Sequence, residues 1–183
     1  MNDYAFDLNL PCTVLNQEFD YKKILTPHSR QSIADSLSPD FVTFMDSIGL
    51  RIISVEMFRR RPDPVFNTIH IDDHNQHDRA RINYVIEDVD SVMGFFKPKN
   101  HDSGFLTKGA VGGQPRRYHL HEVDLVYQHV IKKPSVIQTG IPHGVLNPHG
   151  IRYSLAIHVC DKNSNSVITF EDAQRIFQEY IVA

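Results

Sequence analysis

Asn67 to Ile86 reads NTIHIDDHNQHDRARINYVI, and the interpretation of these residues decides the fold. Two short runs containing β-branched residues flank a polar turn, Asp73 to Asp78. Side chains alternate faces along a strand, so Ile69 and Ile71 point one way while His70 and Asp72 point the other. In the second run Arg81, Asn83 and Val85 share one face, and Ile82, Tyr84 and Ile86 share the other. Each run is therefore a strand with one apolar side. The opposite side of the first carries an imidazole and a carboxylate, two of the ligand types of an open metal site.

Outward from this stretch the period of two recurs. Ile53, Val55 and Met57 alternate with Ser54, Glu56 and Phe58 between Arg51 and Arg60, and Pro62 and Pro64 end that strand. Further strands are expected at Ser91 to Phe96, Glu122 to Lys132, Ser135 to Thr139, Val145 to Leu146 and Ile151 to Cys160. Helical spacing is confined to two places. Ser38-Pro39 is an N-cap followed by a first-turn proline; Phe41, Phe44, Met45 and Ile48 form one stripe, and Gly49 ends it. Thr169 and Asp172 form a capping-box-like start to a C-terminal helix over 169–181, with Ile176, Phe177, Tyr180 and Ile181 on its apolar side. Residues 1–37 read as an N-terminal extension with one strand-like piece around Cys12 to Leu15. Residues 98–118 hold Gly104, Gly109, Gly112 and Gly113 and read as an irregular loop, a lid candidate. Many short strands with few helices predict a mainly β fold, a two-sheet jelly roll (double-stranded β-helix, cupin-like) with a few flanking helices. The chain is read as one domain: extension and helix over 1–50, β core over 51–160, C-terminal helix over 169–181.

Composition removes several function classes. Hydrophobic residues make up 41% and charged residues 22% of the 183, the balance of an ordinary globular domain. A net charge of -3 argues against a general nucleic-acid or anionic-membrane binder, and Arg59-Arg60-Arg61 reads as a solvated strand end. Cys12 and Cys160 alone make no disulfide framework and no thiolate metal site. The N-terminal residues lack a basic region followed by an apolar one, and no apolar run reaches the roughly 20 residues of a membrane helix, so a cytoplasmic protein is expected. The eleven histidines supply the commonest metal ligand.

A second histidine is needed beside His70 and Asp72. Asn147-Pro148-His149-Gly150 suits a type I turn. If it closes a two-residue hairpin, His143 lies opposite Ser154 and Val145 opposite Arg152, and His143, Arg152 and Ser154 project from one side. Tyr153, Leu155, Ile157 and Val159 take the apolar side. A buried arginine is costly without an anion, and its planar fork fits a carboxylate, either internal or carried by a bound small molecule. His74 and His77 are alternative ligands within a turn that reads as solvated. His119 and His121 form a possible second cluster, His149 sits at a turn tip and His158 reads as an inward-facing core residue.

His70-x-Asp72, a distal His143 and Arg152-Tyr153-Ser154 nine residues later resemble the H-x-D…H…R-x-S pattern of the iron(II)/2-oxoglutarate-dependent dioxygenases. The strand ARINYVI and the string TGIPHGVLNPHGIRYSLAIHV are similar to the aspartyl/asparaginyl β-hydroxylase-like and phage-type members, and the resemblance spans roughly residues 67–160. It implies a double-stranded β-helix holding one iron(II) through His70, Asp72 and His143. It implies that Arg152 binds the distal carboxylate of the co-substrate 2-oxoglutarate, with a hydrogen bond from Ser154. Asn83 would contact co-substrate or metal-bound water, and Arg81 would contact substrate; Tyr84 and Tyr127 are candidates to complete the co-substrate pocket. The implied activity is hydroxylation of a small molecule or a peptide side chain. The alternative is a cupin-like protein in which the same triad holds zinc or nickel without 2-oxoglutarate chemistry. Arg152 separates the two, because a simple metal cupin has no use for an interior carboxylate clamp.

Overall fold

The structure is a computed structural model that describes residues 3–66, 68–73, 79–87, 90–108 and 114–182. In chain order its strands are β1 (Ala5–Asp7), β2 (His28–Gln31), β3 (Leu50–Arg60), β4 (Ile69–Ile71), β5 (Ala80–Val85) and β6 (Val92–Pro98). There follow β7 (Phe105–Leu106), β8 (Arg116–Tyr118), β9 (Val123–His129), β10 (Ser135–Gln138), β11 (His143–Leu146) and β12 (Arg152–Asp161). The helices are α1 (Ile33–Ser36), α2 (Pro39–Ser47) and α3 (Phe170–Ile176). The strands form two antiparallel six-stranded sheets, ordered β1-β10-β5-β12-β3-β2 and β7-β8-β4-β11-β6-β9.

The two faces of the first sheet do different work. One carries Val55, Met57, Ile82, Leu155 and Ile157, which bury against Phe41 and Met45 of α2 and Phe170 and Ala173 of α3. Ser38 caps α2 through the Phe41 amide and Thr169 caps α3 through the Asp172 amide, so both helices start where the chain must turn onto the sheet. This large core lies outside the space between the sheets. At one end the intersheet space is filled by Met93, Phe95, Ile137 and Val145. The other end is free to be polar. On the second sheet Ile69 and Ile71 bury with Phe96, Tyr118 and Val123 on the outer face, which turns His70 inward.

Several expectations need correction. The hairpin between β11 and β12 does not form: these strands lie in different sheets, and β12 pairs with β3 and β5 instead. The Asn147 side chain donates to the Arg61 and Gly150 carbonyls, at 3.1 and 3.2 Å, and tethers a turn that crosses between the sheets. Simple alternation sets Ile53 on the same face as Val55 and Met57. A bulge pairs His158 with Ser54 and Val159 with Ile52, so Ile53 is the extra residue and faces solvent. Residues 1–37 do more than pack: β1 and β2 are the two edge strands of the first sheet, while Leu15 makes only an isolated bridge to Leu37. Within 98–118, β7 and β8 pair with each other and β8 pairs with β4, so Arg116 and Arg117 belong to a sheet rather than a lid. The C-terminal helix ends at Ile176, and a 3-10 turn over Gln178–Tyr180 completes the segment.

Two glycines at positive φ differ in what surrounds them. Gly49 (φ 81°) follows α2, and a Cβ added there would meet nothing within 4 Å, so Gly49→Ala should cost only the left-handed strain, about 1–2 kcal/mol. At Gly104 (φ 83°) a Cβ would lie 2.6 Å from the Arg117 carbonyl oxygen. Gly104→Ala adds overpacking to that strain, and a loss of about 2–5 kcal/mol is expected. Urea unfolding of the two variants should rank them in that order.

Candidate metal centre

The two imidazoles meet because His143 is the direct cross-strand partner of His70 in the β4–β11 pair. Paired residues project from the same face of a sheet, and the ring centroids stand 4.7 Å apart. Asp72, just past the end of β4, places its Oδ1 3.1 Å from His70 Nε2 and 3.7 Å from His143 Nε2. One ligand atom from each of the three lies within 4.8 Å of the others, so the group could hold a metal ion. The histidines are oriented alike. His143 Nδ1 donates to the Ile141 carbonyl at 2.9 Å, and His70 Nδ1 lies 3.4 Å from the Thr68 carbonyl. A carbonyl can only accept, so His143 Nδ1 carries the proton and its Nε2 lone pair turns toward the shared space, while His70 Nε2 lies against the Asp72 carboxylate.

Electrostatics prepare the same ligand state. Burial pushes His143 down to about 4, against the opposing pull of Asp72, so the imidazole is neutral at pH 7. Burial works to raise the Asp72 carboxyl, but the Arg81 guanidinium and the two histidines overcome it and hold the group well below the usual carboxylate range. Arg81 Nη1 sits 2.6 Å from Asp72 Oδ2. The resemblance implies a substrate contact for Arg81; here it holds one carboxylate oxygen and leaves the other facing the imidazoles. Arg81→Gln is therefore expected to weaken zinc or cobalt binding by roughly 10–100-fold, the effect typical of removing a group that orients a ligand. Metal titration of the folded variant checks it.

Arg152 and Ser154 lie across the intersheet space from His143 and line a small cavity with it and with Asn83, His70 and Asp72. The Arg152 guanidinium is buried, 3% exposed, and donates from Nε to Ser91 Oγ at 2.9 Å and from Nη1 to Ser154 Oγ at 2.7 Å. No carboxylate among the described residues pairs with it. Burial first, and Arg60 second, bring its pKa down to about 9, so both act against its charge. The Oδ1 of Asn83 is buried in the same cavity without a hydrogen-bond partner. A buried cation lacking a counter-ion is what a site for a small carboxylate would leave open, while the Asn83 oxygen, an acceptor, calls for a donor such as a bound water.

This small cavity is the deep end of a larger cleft of about 710 Å³, which shares Phe58, Arg60, His70, Asp72, Arg81 and Val145 with it. The Arg59-Arg60-Arg61 run is a solvated strand end only in part: Arg61 is exposed, but all three line the cleft and Arg60 is the cross-strand partner of Arg152. Its inward direction was readable from the alternation, since Arg60 shares parity with Glu56 and Phe58. Ser91 carried no signal in sequence. Neither Tyr84 nor Tyr127 lines the cavity; Tyr84 packs on the outer core and Tyr127 stacks on Tyr4. His119 and His121 stack on each other at the surface, away from the triad, and His149 is exposed at its turn. His158 faces Glu56 at 3.5 Å. His74 and His77 lie outside the described residues.

The class so defined is a mainly β protein with two antiparallel sheets and a His-Asp-His group that could hold a metal ion between them. Comparison with protein-family models, curated proteins and solved structures finds no match to the chain.

Proposed function

We propose that the protein is an iron(II)- and 2-oxoglutarate-dependent oxygenase that hydroxylates a small molecule or a peptide side chain, built on a double-stranded β-helix. The strand order supports the fold reading. β3, β12, β5 and β10 are consecutive in one sheet and β4, β11, β6 and β9 in the other, so the chain changes sheet at every step from β3 to β6 and again from β9 to β12. Interleaving of this kind is that of a jelly roll. The observation that carries the functional reading is Arg152, a buried guanidinium with no carboxylate partner among the described residues, sharing a cavity with His70, Asp72 and His143.

In this reading His70, Asp72 and His143 hold the iron as a facial triad, with Arg81 fixing the Asp72 carboxylate. Arg152 and the Ser154 hydroxyl hold the distal carboxylate of 2-oxoglutarate, and Asn83 offers its amide to the space between. Iron(II), when bound, would let molecular oxygen act as the oxidant, one oxygen atom going to 2-oxoglutarate as it becomes succinate and carbon dioxide and the other to the hydroxylated C–H bond. The protein's own part is to keep the His143 imidazole neutral, to supply the counter-charge for the co-substrate and to enclose the site between two sheets.

Anaerobic addition of iron(II) and then 2-oxoglutarate should produce a visible metal-to-ligand charge-transfer band, and admission of air should yield succinate. A folded, iron-loaded protein showing neither would exclude this reading and leave a cupin-like metal binder.

A further inference from the structure

We propose that the substrate is a small anionic molecule whose carboxylate or phosphate group is held by Arg61 and Arg117 at the mouth of the cleft. The inference rests on the oxygenase reading for the identity of the site, and on the following geometry for the chemistry of its occupant. Arg117 is the cross-strand partner of His70 in the β4–β8 pair, on the side away from His143. The row across the second sheet therefore runs Arg117, His70, His143, with all three on the inward face. Arg61 follows the end of β3 on the facing sheet and lines the same cleft. Arg117 and Arg61 thus line one cleft with His70 and Asp72, reached from the two facing sheets.

Charge supports the same conclusion. Among the described residues the cleft lining contains five arginines (59, 60, 61, 81 and 117) against three carboxylates (Glu56, Asp63 and Asp72), an excess of guanidinium groups. Arg81 is engaged by Asp72, whereas neither Arg61 nor Arg117 is ion-paired with a carboxylate among the described residues. Iron(II) and the 2-oxoglutarate dianion cancel each other, so the loaded site keeps this excess. The chain as a whole carries -3, so the positive cleft is a local arrangement and not a consequence of a basic protein. A cleft of one sign between low-dielectric walls concentrates ligands of the opposite sign. Its volume of about 710 Å³ fits within the range of roughly 300–1,000 Å³ of small-molecule sites, which favours a small acid over an acidic macromolecule.

The test uses zinc-loaded protein saturated with 2-oxoglutarate, which keeps Arg152 engaged. Sulfate, as a stand-in for a phosphate group, and acetate, as a carboxylate, are titrated in separate arms by calorimetry. Saturable binding of at least one anion is expected, weakened about tenfold or more in Arg61→Gln/Arg117→Gln, in keeping with the loss of charge-assisted hydrogen bonds. The arm with the tighter binding distinguishes the two acids. Both residues are exposed, so the variant should fold, and Arg30→Gln, an exposed β2 change outside the cleft, should bind as wild type does. Absence of saturable binding, or equal affinity in wild type and the double variant, overturns the proposal. If the 2-oxoglutarate band is missing while anion binding still depends on Arg61 and Arg117 in zinc-loaded protein, the oxygenase reading falls and the anion site stands.

Discussion

Asp72→Ala is expected to abolish metal binding and, independently, to destabilise the metal-free protein by about 2–4 kcal/mol. Both effects follow from one carboxylate serving the two imidazoles and Arg81. Its Oδ1 faces His70 Nε2 and His143 Nε2, at 3.1 and 3.7 Å, and its Oδ2 holds Arg81 Nη1 at 2.6 Å. Without it, only the two imidazoles remain as ligands, and the affinity loss should exceed the roughly 10–100-fold that follows removal of an orienting partner. Arg81 is at the same time left largely buried without its counter-charge. Breaking a buried pair on one side costs roughly 3–5 kcal/mol, and the lower range is used because the two side chains keep 15% and 14% exposure. A second change separates the effects. Asp72→Ala/Arg81→Met removes the stranded cation, so stability should recover while metal binding stays absent. Denaturant unfolding and zinc titration of both variants supply the measurements. A single variant as stable as wild type would show that Arg81 does not depend on Asp72.

The strands of the β core were legible because a half-buried strand writes its faces directly into the sequence. Ile82, Tyr84 and Ile86 pack on the outer core, while Arg81 and Asn83 line the cavity, as alternation required. The caps of α2 and α3 were legible for the same local reason: Ser38 and Thr169 each satisfy an amide of the following turn. What could not be read was which strand pairs with which. The turn at Asn147–Gly150 has the composition of a hairpin turn, yet the Asn147 side chain binds the Arg61 carbonyl at 3.1 Å and sends β12 to the opposite sheet. Turn chemistry is a local property, whereas the choice of sheet depends on pairing partners about a hundred residues earlier in the chain, β3 for β12.

That error leaves the position of the site almost untouched, and the reason is geometric. In a hairpin, His143 and Arg152 would share one face of a single sheet. In the structure they sit on the inward faces of two opposed sheets and line the same cavity. Parity along each strand decides inward or outward in either case. The bulge at Ile53 marks where such reasoning breaks down, since one inserted residue reverses every face beyond it. The Arg59-Arg60-Arg61 run was missed for a different reason, since three arginines in a row read as solvated unless one knows that their strand ends at the rim of a cavity. The Arg116-Arg117 pair reads in sequence as solvent-facing with a hint of an anionic partner, and the β8–β4 pairing is what sets Arg117 beside His70.

Arg152→Met should move two measurements in opposite directions. Affinity for 2-oxoglutarate is expected to fall by about 2–5 kcal/mol, the usual cost of losing one side of a desolvated charge pair, which is roughly 30- to several-thousand-fold. Stability of the protein without co-substrate is expected to stay level or to rise by about 1–4 kcal/mol, because an apolar residue of similar length replaces a charge that no described carboxylate neutralises. Burial and the neighbouring Arg60 both act against the Arg152 cation, and its contacts to Ser91 and Ser154 are to neutral hydroxyls. Methionine also fills irregular space without imposing a shape. A structural arginine would behave otherwise: its removal would lower stability and leave ligand affinity alone. Thermal unfolding with and without 2-oxoglutarate reads both quantities in one experiment, since a ligand raises the midpoint only as far as it binds the native state. Wild type should gain a large ligand-dependent shift from a lower starting point, and Arg152→Met a small one from an equal or higher start. An equal ligand-induced shift in the two proteins would remove Arg152 from the co-substrate site.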